Sequence, residues 1–131
     1  MTIVELRTYI VEDNATIREN LIGTLEEIAR VKVVGFAENE SEASRWLLDN
    51  DGDWHLAIVD LFLKEGSGLG VLRNSCNRRD YQKVVVLTNY ATRDIRERCA
   101  ELGSDAVFDK SNELDELLDY CRSVTINGAP H

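Results

Sequence analysis

The residues best suited to chemistry stand at the ends of apolar runs. His55-Leu56-Ala57-Ile58-Val59 drives straight into Asp60, and Leu6 to Val11 runs into Glu12-Asp13. Val84-Val85-Val86-Leu87 ends in Thr88, and Ala106-Val107-Phe108 is followed by Asp109-Lys110. An acid closing a buried strand is costly unless that end opens into a site. A single such acid also reads as a helix cap or turn carboxylate. Three carboxylates, a hydroxyl and a lysine at four strand ends together read as a site. Crowded carboxylates repel one another, so one takes up a proton unless a cation is present. Carboxylates, a carbonyl and water suit magnesium. With a lysine and a hydroxyl opposite, the set suits in-line phosphoryl transfer, in which positioning and charge neutralisation carry most of the catalysis. A carboxylate nucleophile would form an acyl phosphate.

Convergence requires an architecture that brings these ends to one edge. Apolar runs predict strands over Leu6–Val11, Val31–Ala37, the Asp60 run, Val84–Thr88 and Ala106–Phe108, alternating with five helices. Asn14 or Thr16 caps the first helix, whose stripe is Ile17, Leu21, Leu25 and Ile28; Asn39 starts the second, with Ala43, Trp46 and Leu47 as its apolar face. Ser67 caps a short third helix. Thr92 begins the fourth, closed by Gly103, and the fifth carries Leu114, Leu117, Leu118 and Cys121. Repeated β-α alternation with short loops predicts an α/β fold, a parallel sheet covered on both faces. In such a sheet ligands bind outside the carboxyl ends of the strands. His55 enters its strand at the opposite end from Asp60 and reads as structural.

The totals bound the answer. A length of 131 residues predicts one domain, 1–131, with a core over about 5–124 and a frayed tail at 125–131. A net charge of −9 disfavours nucleic acid as a direct partner. No apolar run approaches a membrane span and no signal peptide opens the chain. Cys76, Cys99 and Cys121 form no metal pattern and fit free thiols in a reducing, cytoplasmic setting.

Glu12-Asp13, Asp60, Thr88 and Lys110, with their spacing and β-α order, resemble the receiver domain of bacterial two-component response regulators. The resemblance covers about residues 5–124. It implies a flavodoxin-like doubly wound five-stranded sheet of order 2-1-3-4-5 and a phosphorylation-dependent switch in a two-component or phosphorelay system. Asp60 would be the phosphoacceptor. Mg²⁺ would be held by Asp13, Asp60 and the Phe62 backbone carbonyl, with Glu12 acting through water. Thr88 and Lys110 would meet the phosphoryl group, and the backbone N–H groups of Leu61 and Asn89 would complete its cradle. The implied partners are a sensor histidine kinase or phosphotransfer protein upstream and a protein contacting the 92–124 face downstream, for a monomer or weak dimer. Such a domain catalyses its own phosphoryl transfer and dephosphorylation and has no separate enzymatic activity.

The sequence departs from the family pattern at the transmitting positions. Ser111 stands where a proline usually follows the lysine, so the Lys110–Ser111 bond is expected to be trans or strained. Lys64 replaces a loop proline. Val107 holds the usual aromatic switch position, with the ring one later at Phe108. Asn89 is larger than the residue usual after the threonine, and Tyr90 is placed to affect phosphoryl loss. Three alternatives stay open: an interaction module of the same fold not regulated by phosphate, an Asp-nucleophile phosphohydrolase, and a flavin-binding protein. The phosphohydrolase reading lacks a second acid at Phe62. The flavin reading meets negative charge at Glu12-Asp13, where a phosphate would sit. The glycine-rich Gly66-Ser67-Gly68-Leu69-Gly70 matches no nucleotide loop and reads as a turn and helix start.

Overall fold

The computed structural model describes residues 5–127. Five strands, β1 (Leu6–Val11), β2 (Val31–Ala37), β3 (Leu56–Val59), β4 (Lys83–Thr88) and β5 (Ala106–Asp109), form one sheet of order β2-β1-β3-β4-β5. Every pairing is parallel. Helices α1 (Ala15–Ile28), α2 (Glu40–Asp49), α3 (Gly68–Asn74), α4 (Arg93–Glu101) and α5 (Leu114–Asn127) fill the crossovers. All strands therefore end on one edge, which carries Glu12, Asp60, Thr88 and Lys110.

Alternation along the strands divides the core into two layers. Ile10, Ile58, Val85, Leu87 and Phe108 face α1 and α5 with Leu21, Leu25, Leu117 and Cys121. Tyr9, Val11, Ala57, Val59, Val84 and Val86 face α2, α3 and α4 with Ala43, Leu47, Val71, Leu72 and Cys99. β4 is buried on both faces, which is why it is written as an unbroken apolar run. Burying each aliphatic side chain contributes about 1.5–3 kcal/mol relative to exposure. No disulfide joins the three described cysteines; Cys99 and Cys121 are core residues and Cys76 is exposed.

The helix starts follow local chemistry. The Asn14, Asn39, Ser67 and Thr92 side chains each accept a main-chain N–H of the first turn. Asn14, not Thr16, caps α1. The expected α1 stripe needs correction at both ends. Ile17 and Ile28 are 40% and 48% exposed, while Arg18 is buried. The face toward the sheet is narrower than the 3–4 spacing implied, and Arg18 fills its upper end because its guanidinium has polar partners there. α5 runs to Asn127, three residues past the expected boundary at 124. The remainder of the expected tail lies outside the described residues. No described helix is long and apolar enough to cross a membrane.

Candidate functional site

β1 and β3 are neighbours and end level with each other, Val11 opposite Val59. Asp60 N then donates to Val11 O at 2.9 Å and Glu12 N to Ala37 O at 3.0 Å, which carries the acids just past the ladder. Ligand oxygens of Glu12, Asp13 and Asp60 lie within 4.8 Å of one another. Glu12 and Asp60 are buried and Asp13 is half-buried.

Lys110 enters from the end of β5 and divides itself between two acids. Its Nζ donates to Glu12 Oε1 at 2.6 Å and to Asp60 Oδ2 at 3.1 Å. The remaining Glu12 oxygen accepts Asn14 N at 3.1 Å, so both Glu12 oxygens are engaged. The Glu12 carbonyl accepts Arg18 Nη1 at 2.9 Å, and the same guanidinium lies 4.1 Å from the Phe36 ring centroid. No role for Arg18 was read from the sequence.

The electrostatics follow from crowding. Burial pushes the Asp60 carboxyl up from its ordinary value; the Lys110 charge opposes this and the Glu12 charge adds to it. Burial works against the Lys110 charge, yet its bond to Glu12 and the charges of Asp60 and Glu12 prevail and hold its pKa above the usual lysine value. One cation faces three carboxylates. The set is chemically complete for a hard divalent cation: oxygen donors, excess negative charge and an opening to water beside half-buried Asp13.

The other expected residues fall around this pocket. Leu61 is buried and Phe62 exposed on the loop after β3. Phe62 N lies 3.4 Å from Asp60 Oδ1. Gly68 packs against the start of that loop, where a side chain would collide with the Asp60 carbonyl oxygen. Thr88 is fully buried, and its hydroxyl accepts Tyr90 N at 3.2 Å. Asn89 is exposed and shares an open cavity with Ile17, Leu87 and Lys110. The Tyr90 ring leans outward against Phe62, centroids 5.0 Å apart at 72°.

Val107 and Phe108 point to opposite faces. Phe108 packs edge-on with Tyr120 under α5, and half-buried Val107 lies on the α4 side. Across that face Arg96 of α4 reaches three segments. It donates to Ala91 O at 2.9 Å, Val107 O at 3.0 Å and Glu113 Oε1 at 2.5 Å. Arg96 also escaped the sequence reading. The peptide bond between Lys110 and Ser111 is trans. His55 lies at the far edge, where its Nδ1 accepts Arg7 N at 2.8 Å, a structural role.

Comparison with known proteins agrees with this geometry. The chain belongs to the response regulator receiver domain family, whose model matches residues 8–122. It is therefore a receiver domain of the kind found in two-component systems. It is 29% identical over 117 residues to the uncharacterized transcriptional regulatory protein YvfU of Bacillus subtilis, covering 89% of this chain and 58% of YvfU. The chain thus spans little more than half the length of the curated relatives it matches. Among solved structures, the response regulator domain of Thermotoga maritima CheB superposes with a TM-score of 0.81 at 19% identity, over 93% of this chain and 97% of that one. A Burkholderia pseudomallei response regulator with a phosphorylated aspartic acid, calcium ion and citrate superposes with a TM-score of 0.76 at 24% identity, over 93% of this chain and 69% of that one.

Proposed function

We propose that the chain is a phosphorylation-dependent switch that takes a phosphoryl group from phosphohistidine onto Asp60. The observation that carries this reading is the setting of Asp60. It is a buried carboxylate at a strand end, bonded to Lys110 and within 4.8 Å of two further acids. Crowding of this kind costs stability, as expected where carboxylates are gathered to serve a ligand. The phosphorylated aspartic acid and calcium ion in the Burkholderia pseudomallei neighbour support the same assignment.

The residues divide the work. An Asp60 oxygen attacks phosphorus; the new P–O bond forms as the P–N bond to histidine breaks, and the imidazole leaves. Lys110 then exchanges its hold on the Asp60 carboxylate for a phosphoryl oxygen, and the Thr88 hydroxyl donates to another. The Leu61 and Asn89 amides close the cradle. Asp13, Asp60 and the Phe62 carbonyl would hold Mg²⁺, with Glu12 acting through water because both its oxygens are engaged. The metal would neutralise phosphoryl charge during the in-line displacement.

Recruiting Thr88 to phosphate disturbs its bond from Tyr90 N and so shifts the loop leading to Ala91. Arg96 ties that loop to Val107 and Glu113, which gives the face formed by α4, β5 and α5 a way to respond despite the missing aromatic switch. A downstream protein would read that face, with a sensor kinase or phosphotransfer protein as donor. The test is incubation with a small acyl phosphate and Mg²⁺, followed by intact mass. Wild type is expected to gain one phosphoryl group and Asp60→Asn none. An unlabelled wild type, or a variant labelled equally, overturns the proposal.

A further inference from the structure

The glycine-rich stretch after Asp60 forms no nucleotide loop, and its composition has another cause. The segment from Lys64 to Gly70 is held by two carboxylates from other elements. Lys64 N donates to Asp13 Oδ2 at 2.7 Å. Three residues on, Ser67 N donates to Glu40 Oε1 at 2.8 Å, and Glu40 N lies 3.3 Å from Glu65 O. Glu40 is the first residue of α2, and its side chain lies in the loop itself. A Cβ at Gly66 would collide with Glu40 Cβ, and one at Gly70 with its carboxylate. Gly66 and Gly70 leave room for Glu40, while Gly68 leaves room for the Asp60 carbonyl.

This chain of contacts ends on Asp13. Its side chain is half-buried just beyond β1, and among the described residues it accepts a hydrogen bond from the Lys64 amide. A carboxylate so placed is otherwise free to rotate into water. The bond to Oδ2 fixes its direction and leaves Oδ1 open, which is how hydrogen bonds beyond the ligands orient metal-binding carboxylates.

We propose that the Lys64 main-chain N–H and Glu40 are positioning groups for cation binding: the amide aims Asp13 into the pocket, and Glu40 holds the loop that presents the amide. The inference rests on the reading of Asp13 as a metal ligand. The group that matters at position 64 is the amide, since the Lys64 side chain is exposed and forms no ion pair with the described residues. Glu40 touches neither metal nor phosphate and acts through the loop.

The test is titration with Mg²⁺ alone, followed by amide NMR shifts of the full chain, comparing wild type with Lys64→Ala, Lys64→Pro, Glu40→Gln, Glu40→Ala and Asp13→Asn. Proline removes the N–H and alanine keeps it. Lys64→Pro is expected to bind Mg²⁺ about 10–100-fold more weakly than wild type, with Lys64→Ala within about twofold. Glu40→Ala should weaken binding several-fold and speed hydrogen exchange at the Ser67 amide, and Glu40→Gln, which keeps an acceptor, should restore both. In unaltered protein the Lys64 amide should remain protected from exchange when Mg²⁺ is added. That measurement stands even if the proline variant fails to fold. Equal affinity of the proline and alanine variants, tighter binding by the proline variant, or release of the Lys64 amide by Mg²⁺ overturns the inference. If wild type and Asp13→Asn alike bind no Mg²⁺, the metal site itself is overturned.

Discussion

The two edges of the sheet bury polar groups by opposite rules. At the amino edge, buried or partly buried side chains are answered mainly by main chain. His55 Nδ1 accepts Arg7 N, and Gln82 donates to Trp54 O while accepting Arg79 N. Arg78 donates to Ser75, Gln82 and Gly103 carbonyls, and its ion pair with Asp105 balances one cation with one anion. At the carboxyl edge, Lys110, Glu12 and Asp60 answer one another, and charge is left over. Side chains fully satisfied by main-chain groups within the fold have little further to offer a ligand. Side chains that share one lysine among several acids have capacity to spare. Burial of polar groups is common to both edges, so burial alone does not mark a site; the kind of partner does.

That contrast can be broken at either edge. The largest effect is expected from Lys110→Met, which leaves Glu12 and Asp60 facing each other in a buried pocket. Without metal at neutral pH the loss should be about 3–5 kcal/mol, as for other broken buried pairs. It should shrink toward acid pH, since Asp60 is already biased toward its protonated form. Urea unfolding at two pH values measures both, and a loss under about 1 kcal/mol would remove the distinction between the edges. Next comes Gln82→Leu, which orphans the Trp54 carbonyl and the Arg79 amide. It should cost about 1–3 kcal/mol, with no change with pH and no effect on acyl-phosphate labelling. Impaired labelling would show that the amino edge is not merely structural.

The smallest effect concerns His55. Burial and the Arg7 charge lower its pKa from the ordinary 6.5, outweighing a backbone bond at Glu5 that raises it. The unfolded chain therefore takes up the proton first as pH falls. Stability should be fully present above pH 6.5 and decline below it, by no more than about 1.4 kcal/mol per pH unit. His55→Gln, which keeps an acceptor for Arg7 N, should flatten that part of the pH–stability curve. An unchanged slope would assign it to another group.

The strands and their ends were legible because parallel strands write themselves as apolar runs and their ends as abrupt polar residues, whereas the sheet order followed from the resemblance to receiver domains. Asp60, Thr88 and Lys110 stood out for that reason, and the structure brings Asp60 and Lys110 into contact. What escaped was of two kinds. Arg18 and Arg96 are long side chains whose partners include main-chain carbonyls, and a carbonyl has no letter in the sequence. The Lys64 amide is invisible for the same reason, although the substitution at that position was visible. Ile17 and Ile28 were assigned to the core because helical spacing fixes an angular stripe but not its width. The glycines around Glu40 were noticed as a pattern, but their purpose depended on a residue more than twenty positions earlier.

The edge-to-face pair of Phe62 and Tyr90 has a practical consequence. Each ring sits two residues beyond a strand-end residue, Asp60 and Thr88, so the pair spans the loops that follow β3 and β4. Each ring lies in the other's magnetic shielding, which changes steeply over a few ångströms. The Tyr90 ring-proton resonances are therefore a ruler built into the mouth of the pocket. They would report separation of the loops in solution without a label and without reference to any partner.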